Sequence, residues 1–160
     1  MIDLGGTVRS RATAKERSVF QLRNGTKVAP IICYESVYGS FINGFVQNGA
    51  EFLAVMTNDA WWGTTPGHRQ LLSYTKLRAI ETRLPIVRSA NSGISAVINT
   101  FGEVTQQIPY LERSAISSTI TPQKQITFYV TYGDYIARLS LLISILLLLL
   151  AISRKKLIFR

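Results

Sequence analysis

Eighteen consecutive residues, Ile136 to Ser153 (IARLSLLISILLLLLAIS), carry one charge, Arg138, and constrain this chain more than any other feature. A bilayer core is crossed by roughly 20 apolar residues in helical form. The run has no polar face, which argues against a helix lying flat on a membrane surface. A fully buried core helix is the alternative, but five successive leucines, Leu146–Leu150, followed three residues later by Arg154, Lys155 and Lys156 read as a membrane span. Arg138 stands at the edge, where a long side chain reaches the headgroups. The fifteen residues before Ile136 hold only Lys124 and Asp134 as charges, whereas the tail holds Arg154, Lys155, Lys156 and Arg160. The positive-inside rule therefore puts residues 154–160 in the cytoplasm and the preceding domain on the far side. Residues 1–30 contain no apolar stretch of the kind that exports a domain. The expectation is a C-terminal part of a longer polytopic protein.

The formal charge of +9 on 160 residues invites a nucleic-acid reading until it is divided along the chain. Residues 1–27 hold six Lys/Arg and two acids, a net of +4, and residues 154–160 add another +4. The 126 residues between them hold eight basic and seven acidic groups, a net of +1. A nearly neutral domain without Lys/Arg interleaved among exposed aromatics is no nucleic-acid surface. A single cysteine excludes a disulfide framework and a cysteine-rich metal site. The basic leader, residues 1–27, reads as a solvated loop belonging to the domain that follows.

Between leader and span the pattern alternates strand and helix. Val28–Ile32 is a short apolar run suited to a buried strand, with Pro30 marking an edge or a bulge. Apolar residues then recur at helical spacing through Val37, Tyr38, Phe41, Ile42, Phe45 and Val46, ending at Asn48-Gly49. Phe52–Met56 is a second buried strand ending in Thr57-Asn58-Asp59, and after the loop WWGTTPG a helix is expected from His68 to Thr82. Ile86–Ala90 and Ile94–Ile98 form a hairpin about Asn91-Ser92-Gly93, followed by strands at Val104–Ile108 and Ala115–Ile120. Phe128–Tyr132 leads towards the membrane. The sum is a mixed α/β sandwich.

Cys33 closes the first strand and opens a helix, so its sulfur falls at the carboxyl edge of the sheet, where open α/β sheets hold ligands. A helix start there favours thiolate, the attacking form. The bland reading of a lone cysteine is a small buried hydrophobe.

Four ordered segments carry a resemblance: IICYES, TNDAWWG, GHRQLLSYTKLRAIETRLPIVRSANSGISAVI and TFYVTYGD. Together they resemble the nitrilase, or carbon–nitrogen hydrolase, superfamily, and within it the apolipoprotein N-acyltransferases of the bacterial inner membrane. The resemblance covers residues 28–134 and the terminal span. It implies a partial nitrilase-like α-β-β-α sandwich followed by one transmembrane helix. It also implies a Cys–Glu–Lys triad of nucleophile, general base and oxyanion-stabilising cation. The activity implied is transfer of an acyl chain from a phospholipid, through a cysteine thioester, to the N-terminal amine of a diacylglyceryl-cysteine in an apolipoprotein. No cofactor and no metal is implied.

Carried over residue by residue, Cys33 is the nucleophile, and Tyr34 and Glu35 are the two following positions that the acyltransferases need. Glu35 alternatively offsets a helix dipole. The triad Glu and Lys lie farther upstream in the family than this chain reaches, and Lys15, Glu16 and Lys27 are not assigned to those roles. The chain alone is accordingly expected to be inactive, and a sandwich without its first strands to expose apolar sheet surface. Asn58 and Asp59 either line the site edge or form a turn. Trp61 and Trp62 either shape an acyl entry or pack on the core. His68 reads as structural, and Arg78, Glu81 and Arg88 as an ion-pair set under the site floor. Two readings compete: an amidase of the same superfamily with an acquired anchor, and a membrane-anchored module without chemistry.

Overall fold

The computed structural model describes residues 16–63 and 65–158. Lys15 and the basic leader before it lie outside them. Six strands form one mixed sheet in sequence order: β1 (Phe20–Gln21), β2 (Lys27–Ile32), β3 (Phe52–Asn58), β4 (Ile86–Asn91), β5 (Ser95–Ile98) and β6 (Val104–Ile108). The central pairs β2–β3 and β3–β4 are parallel, and β1–β2, β4–β5 and β5–β6 are antiparallel. Each parallel step needs a crossover, and the chain supplies α1 (Gly39–Gln47) and α2 (Gly67–Thr82).

The register decides which face is core. Ala29 pairs Leu53, Leu53 pairs Ile86 and Ile86 pairs Ile98; one step along, Ile31 pairs Val55 and Val55 pairs Arg88. These rows share one face, and their apolar members are buried with Ile42, Phe45 and Val46 of α1 and Leu72 and Ala79 of α2. Complete burial of a side chain such as Ile42 contributes about 1.5–3 kcal/mol. The alternate residues point the other way. There Ile32 and Met56 remain 50% and 44% exposed, and among the described residues β1 pairs only Lys27 and Val28 of β2, ahead of Pro30.

The helix boundaries follow local chemistry. Asn48 and Gly49 end α1, with Gly49 at φ +90°, a conformation costly to any residue with a Cβ. Arg83 closes α2 in the left-handed region, its N–H donating to Ala79 O at 2.8 Å. The expected strand at Ala115–Ile120 does not form: residues 113–127 have no regular structure. Alternation alone does not make a strand; the segment must also run alongside a sheet edge. Instead Ser114–Ile116 passes over the helix-free face, enclosing with Ala54, Met56, Val87 and Val97 a cavity of about 320 Å³. Phe128–Tyr132 is a short helix, α3, docked on α1 by Asn43 Nδ2 and Gln47 Nε2, which donate to the carbonyls of Tyr129 and Val130. After Gly133, α4 (Tyr135–Ile158) begins, and none of its apolar stretch Tyr135–Ser153 is buried against the domain. It is long and apolar enough to cross a membrane.

Candidate active site

At Ile32 the β2 backbone leaves the sheet, and Cys33 takes φ +50°. A non-glycine residue there is held against its preference, a strain that collects at functional positions. Two hydrogen bonds staple the turn. Glu35 Oε2 accepts the Ile32 N–H at 2.8 Å, and Ser36 Oγ donates to Cys33 O at 2.9 Å. Residues Cys33–Val37 form a 3-10 turn, and the full helix begins only at Gly39. The strand-to-helix reading therefore places Cys33 correctly at the sheet edge, but a turn of five residues stands where a helix N-terminus was expected. Glu35 serves the turn itself, and Tyr34 projects outward, its ring edge-on to Tyr38 at 6.0 Å.

Beside Cys33, β3 delivers Thr57, whose Oγ1 lies 3.4 Å from Cys33 Sγ and 2.8 Å from Asp59 Oδ1. Asp59 is fully buried, and its Oδ2 accepts from Arg88 Nη2 at 2.7 Å, both side chains having no solvent exposure. Arg88 also donates to Thr75 Oγ1 at 3.0 Å and to Ile94 O at 3.1 Å. This buried arginine donates from each of its three nitrogens, one to a carboxylate and two to neutral acceptors. Gly93 makes room for this pair, because a Cβ there would strike the Asp59 carboxylate. The arrangement is a sulfur at a strained sheet-edge turn, backed by a buried and charge-balanced polar chain.

The sequence profile of the carbon–nitrogen hydrolases matches residues 2–127. The chain belongs to the carbon–nitrogen hydrolase family. Among curated relatives it is 34% identical over 153 residues to the apolipoprotein N-acyltransferase of Chlorobaculum tepidum, covering 93% of this chain and 29% of that one. To the enzyme of the same name from Sinorhizobium fredii it is 38% identical over 150 residues, covering 93% of this chain and 28% of that one. The chain thus spans under a third of the length of these relatives. A carbon–nitrogen hydrolase from Helicobacter pylori shares the fold at TM-score 0.58 and 13% identity, over 64% of this chain and 43% of that one. An amidase from Nesterenkonia sp. does so at TM-score 0.51 and 18% identity, over 61% and 39%.

Other residues of this hydrolase domain fall into place around that frame. Asn58 lies beside Cys33's neighbour strand end, exposed, with its side chain accepting from Ala60 N at 3.2 Å; it caps the 3-10 turn Asp59–Trp62. Trp61 is 84% exposed, while Trp62 lies against Gly67 at the start of α2. His68 is buried and stacked on Tyr110, ring centroids 4.3 Å apart. Arg78 and Glu81 pair at 3.1 Å as expected, but Arg88 belongs to the separate Asp59 cluster, since it rises from β4 rather than from α2. Arg78 Nη1 also donates to Val37 O, the end of the Cys33 turn, at 3.4 Å. Burial pushes the Glu81 carboxyl above its usual range, Arg78 pulls it down, and Asp134 adds to the rise. Burial likewise raises the Tyr129 phenol, with Glu81 adding to it. Glu16 is exposed, and Lys27 stands at the opposite end of β2 from Cys33. Among the described residues no cluster of His, Cys, Asp and Glu is placed to hold a metal. Thr57 escaped the sequence reading, which took Thr57-Asn58-Asp59 as a polar strand end; the period of two that aligns Thr57 with Val55 and Ile31 was the available signal.

Proposed function

We propose that the chain is the C-terminal part of an apolipoprotein N-acyltransferase and that Cys33 is its acyl-carrying nucleophile. The observation that carries this reading is the strained, stapled turn holding the only cysteine at the sheet edge, in a chain similar along 93% of its length to enzymes of that name. Cys33 Sγ attacks the ester carbonyl of a phospholipid, the S–C bond forms, and the ester C–O bond breaks, the S–H proton passing to the departing glycerol oxygen to give a lysophospholipid. The N-terminal amine of a diacylglyceryl-cysteine then attacks the thioester carbonyl, the C–N bond forms, the C–S bond breaks, and the proton lost by the amine restores the Cys33 thiol. Thioester aminolysis runs downhill because an amide replaces a weaker acyl bond. Both steps call for a general base and an oxyanion-stabilising cation beside Cys33.

Helix α4 anchors the domain in the bacterial inner membrane, with the domain periplasmic and the basic tail cytoplasmic. That placement puts Cys33 on the side where an exported lipoprotein presents its amine. Tyr34 and Trp61, both exposed beside or following the site strands, offer apolar surface to an acyl chain. The test is acyl-thioester trapping with a labelled phospholipid on the membrane-embedded protein with its upstream half. Cys33→Ser abolishes the hydroxylamine-sensitive label if the reading holds, and acyl transfer that survives the substitution overturns it. Hydrolysis of small amides without transfer to a lipopeptide would favour an amidase instead.

A further inference from the structure

Thr57 has one hydroxyl proton and two neighbours that could take it. Asp59 Oδ1 lies at 2.8 Å and Cys33 Sγ at 3.4 Å. A carboxylate only accepts, and among the described residues Oδ1 has no other donor, since Arg88 occupies Oδ2. Leaving a buried carboxylate oxygen without a donor costs more than leaving a sulfur without one, and a bond to a charged acceptor is about twice as strong as one between neutral groups. The Thr57 proton therefore belongs to Asp59. The hydroxyl then turns a lone pair, not its proton, toward Cys33.

We infer that Thr57, oriented by Asp59, is a positioning residue that holds the Cys33 thiol at the sheet edge by accepting its S–H. The inference rests on the reading of Cys33 as nucleophile for its functional meaning, but the contact itself does not. Arg88 fixes Asp59, Asp59 fixes the Thr57 hydroxyl, and the hydroxyl fixes Sγ. The first link is dry and bonded to three elements, so the orientation is set by the fold rather than by substrate. Acylation removes the S–H, so this bond exists in the free enzyme and not in the thioester. Its role is to present the sulfur before attack.

The S–H stretching band reads the contact directly, in a spectral window clear of other protein vibrations, and the sole cysteine makes it a signal of Cys33 alone. Infrared spectra of the full chain in detergent micelles are compared for the parent, Thr57→Val, Thr57→Ala and Thr57→Ser. Both hydroxyl-free variants should shift the band to higher frequency and narrow it, and Thr57→Ser should restore the parent position. Thr57→Ala opens space where Thr57→Val fills it, so a variant that fails to fold leaves the other as the test. A band that does not move in either variant, or that moves equally in Thr57→Ser, overturns the inference while leaving the nucleophile reading standing. A band that moves as expected in a protein whose Cys33→Ser form still transfers acyl groups sinks the nucleophile reading and spares the contact.

Discussion

Replacing Asp59 by leucine removes the charge partner of an arginine that has no route to solvent. Arg88 keeps its bonds to Thr75 Oγ1 at 3.0 Å and Ile94 O at 3.1 Å, but loses the 2.7 Å bond to Asp59 Oδ2 and the opposing charge. Removing one member of a buried pair costs about 3–5 kcal/mol, because the remaining charge is stranded in low dielectric. Against a total stability on the order of 5–15 kcal/mol, that is about a fifth or more of what holds a domain together. Arg88→Met should cost a similar amount by stranding the carboxylate. The double variant Asp59→Leu/Arg88→Met should recover most of the loss, since apolar side chains of similar volume fill a buried ion-pair site with little penalty. Urea unfolding in fixed micelles, followed by tryptophan fluorescence, gives all three numbers, because Trp61 and Trp62 share the 3-10 turn that Asp59 opens. Single-variant costs below about 1 kcal/mol would refute the reasoning. So would a double variant as unstable as the sum of the singles.

Glu35→Ala removes the acceptor of the Ile32 N–H and should cost about 0.5–1.5 kcal/mol in the same unfolding assay, while raising local amide exchange at Ile32 and Cys33; unchanged exchange there would contradict the stapling role. Glu81 holds its proton to higher pH in the folded state than in the unfolded one, so stability should decline as pH rises above the ordinary carboxylate range. Urea midpoints across that window should lose this decline in Glu81→Gln, and an identical slope in both proteins would count against it. Leu146→Arg places a charge at mid-helix in α4 and should disfavour insertion by about 2.5–3.5 kcal/mol. Alkaline carbonate extraction reads this, and full retention in the membrane pellet would argue that α4 does not span.

Most strands and helices were legible because their signals are local. The apolar runs at Val28–Ile32 and Phe52–Met56 sit within β2 and β3, and the helical spacing before Asn48-Gly49 marks α1 to within two residues. Ala115–Ile120 misled because alternation describes a strand's faces and says nothing of whether the segment runs alongside an edge. Pro30 signalled an edge or a bulge, and among the described residues β1 pairs β2 only at Lys27 and Val28. The position of Cys33 at the sheet edge followed from the strand ending beneath it. Its left-handed backbone did not, because no glycine or asparagine announced it. Asp59 and Arg88 are 29 residues apart, and their pairing depends on the β3–β4 register and on the turn after β3. The helical Arg78–Glu81 pair, three residues apart, needed no such information.

Mass spectrometry of the peptide bearing Cys33, after incubating the membrane-embedded protein and its upstream half with a phospholipid donor, tests the central claim most directly. The account predicts a mass increase equal to one acyl chain on Cys33, removed by hydroxylamine and discharged by a lipopeptide with a free N-terminal amine. An unmodified Cys33 in a preparation that acylates the lipopeptide would contradict it.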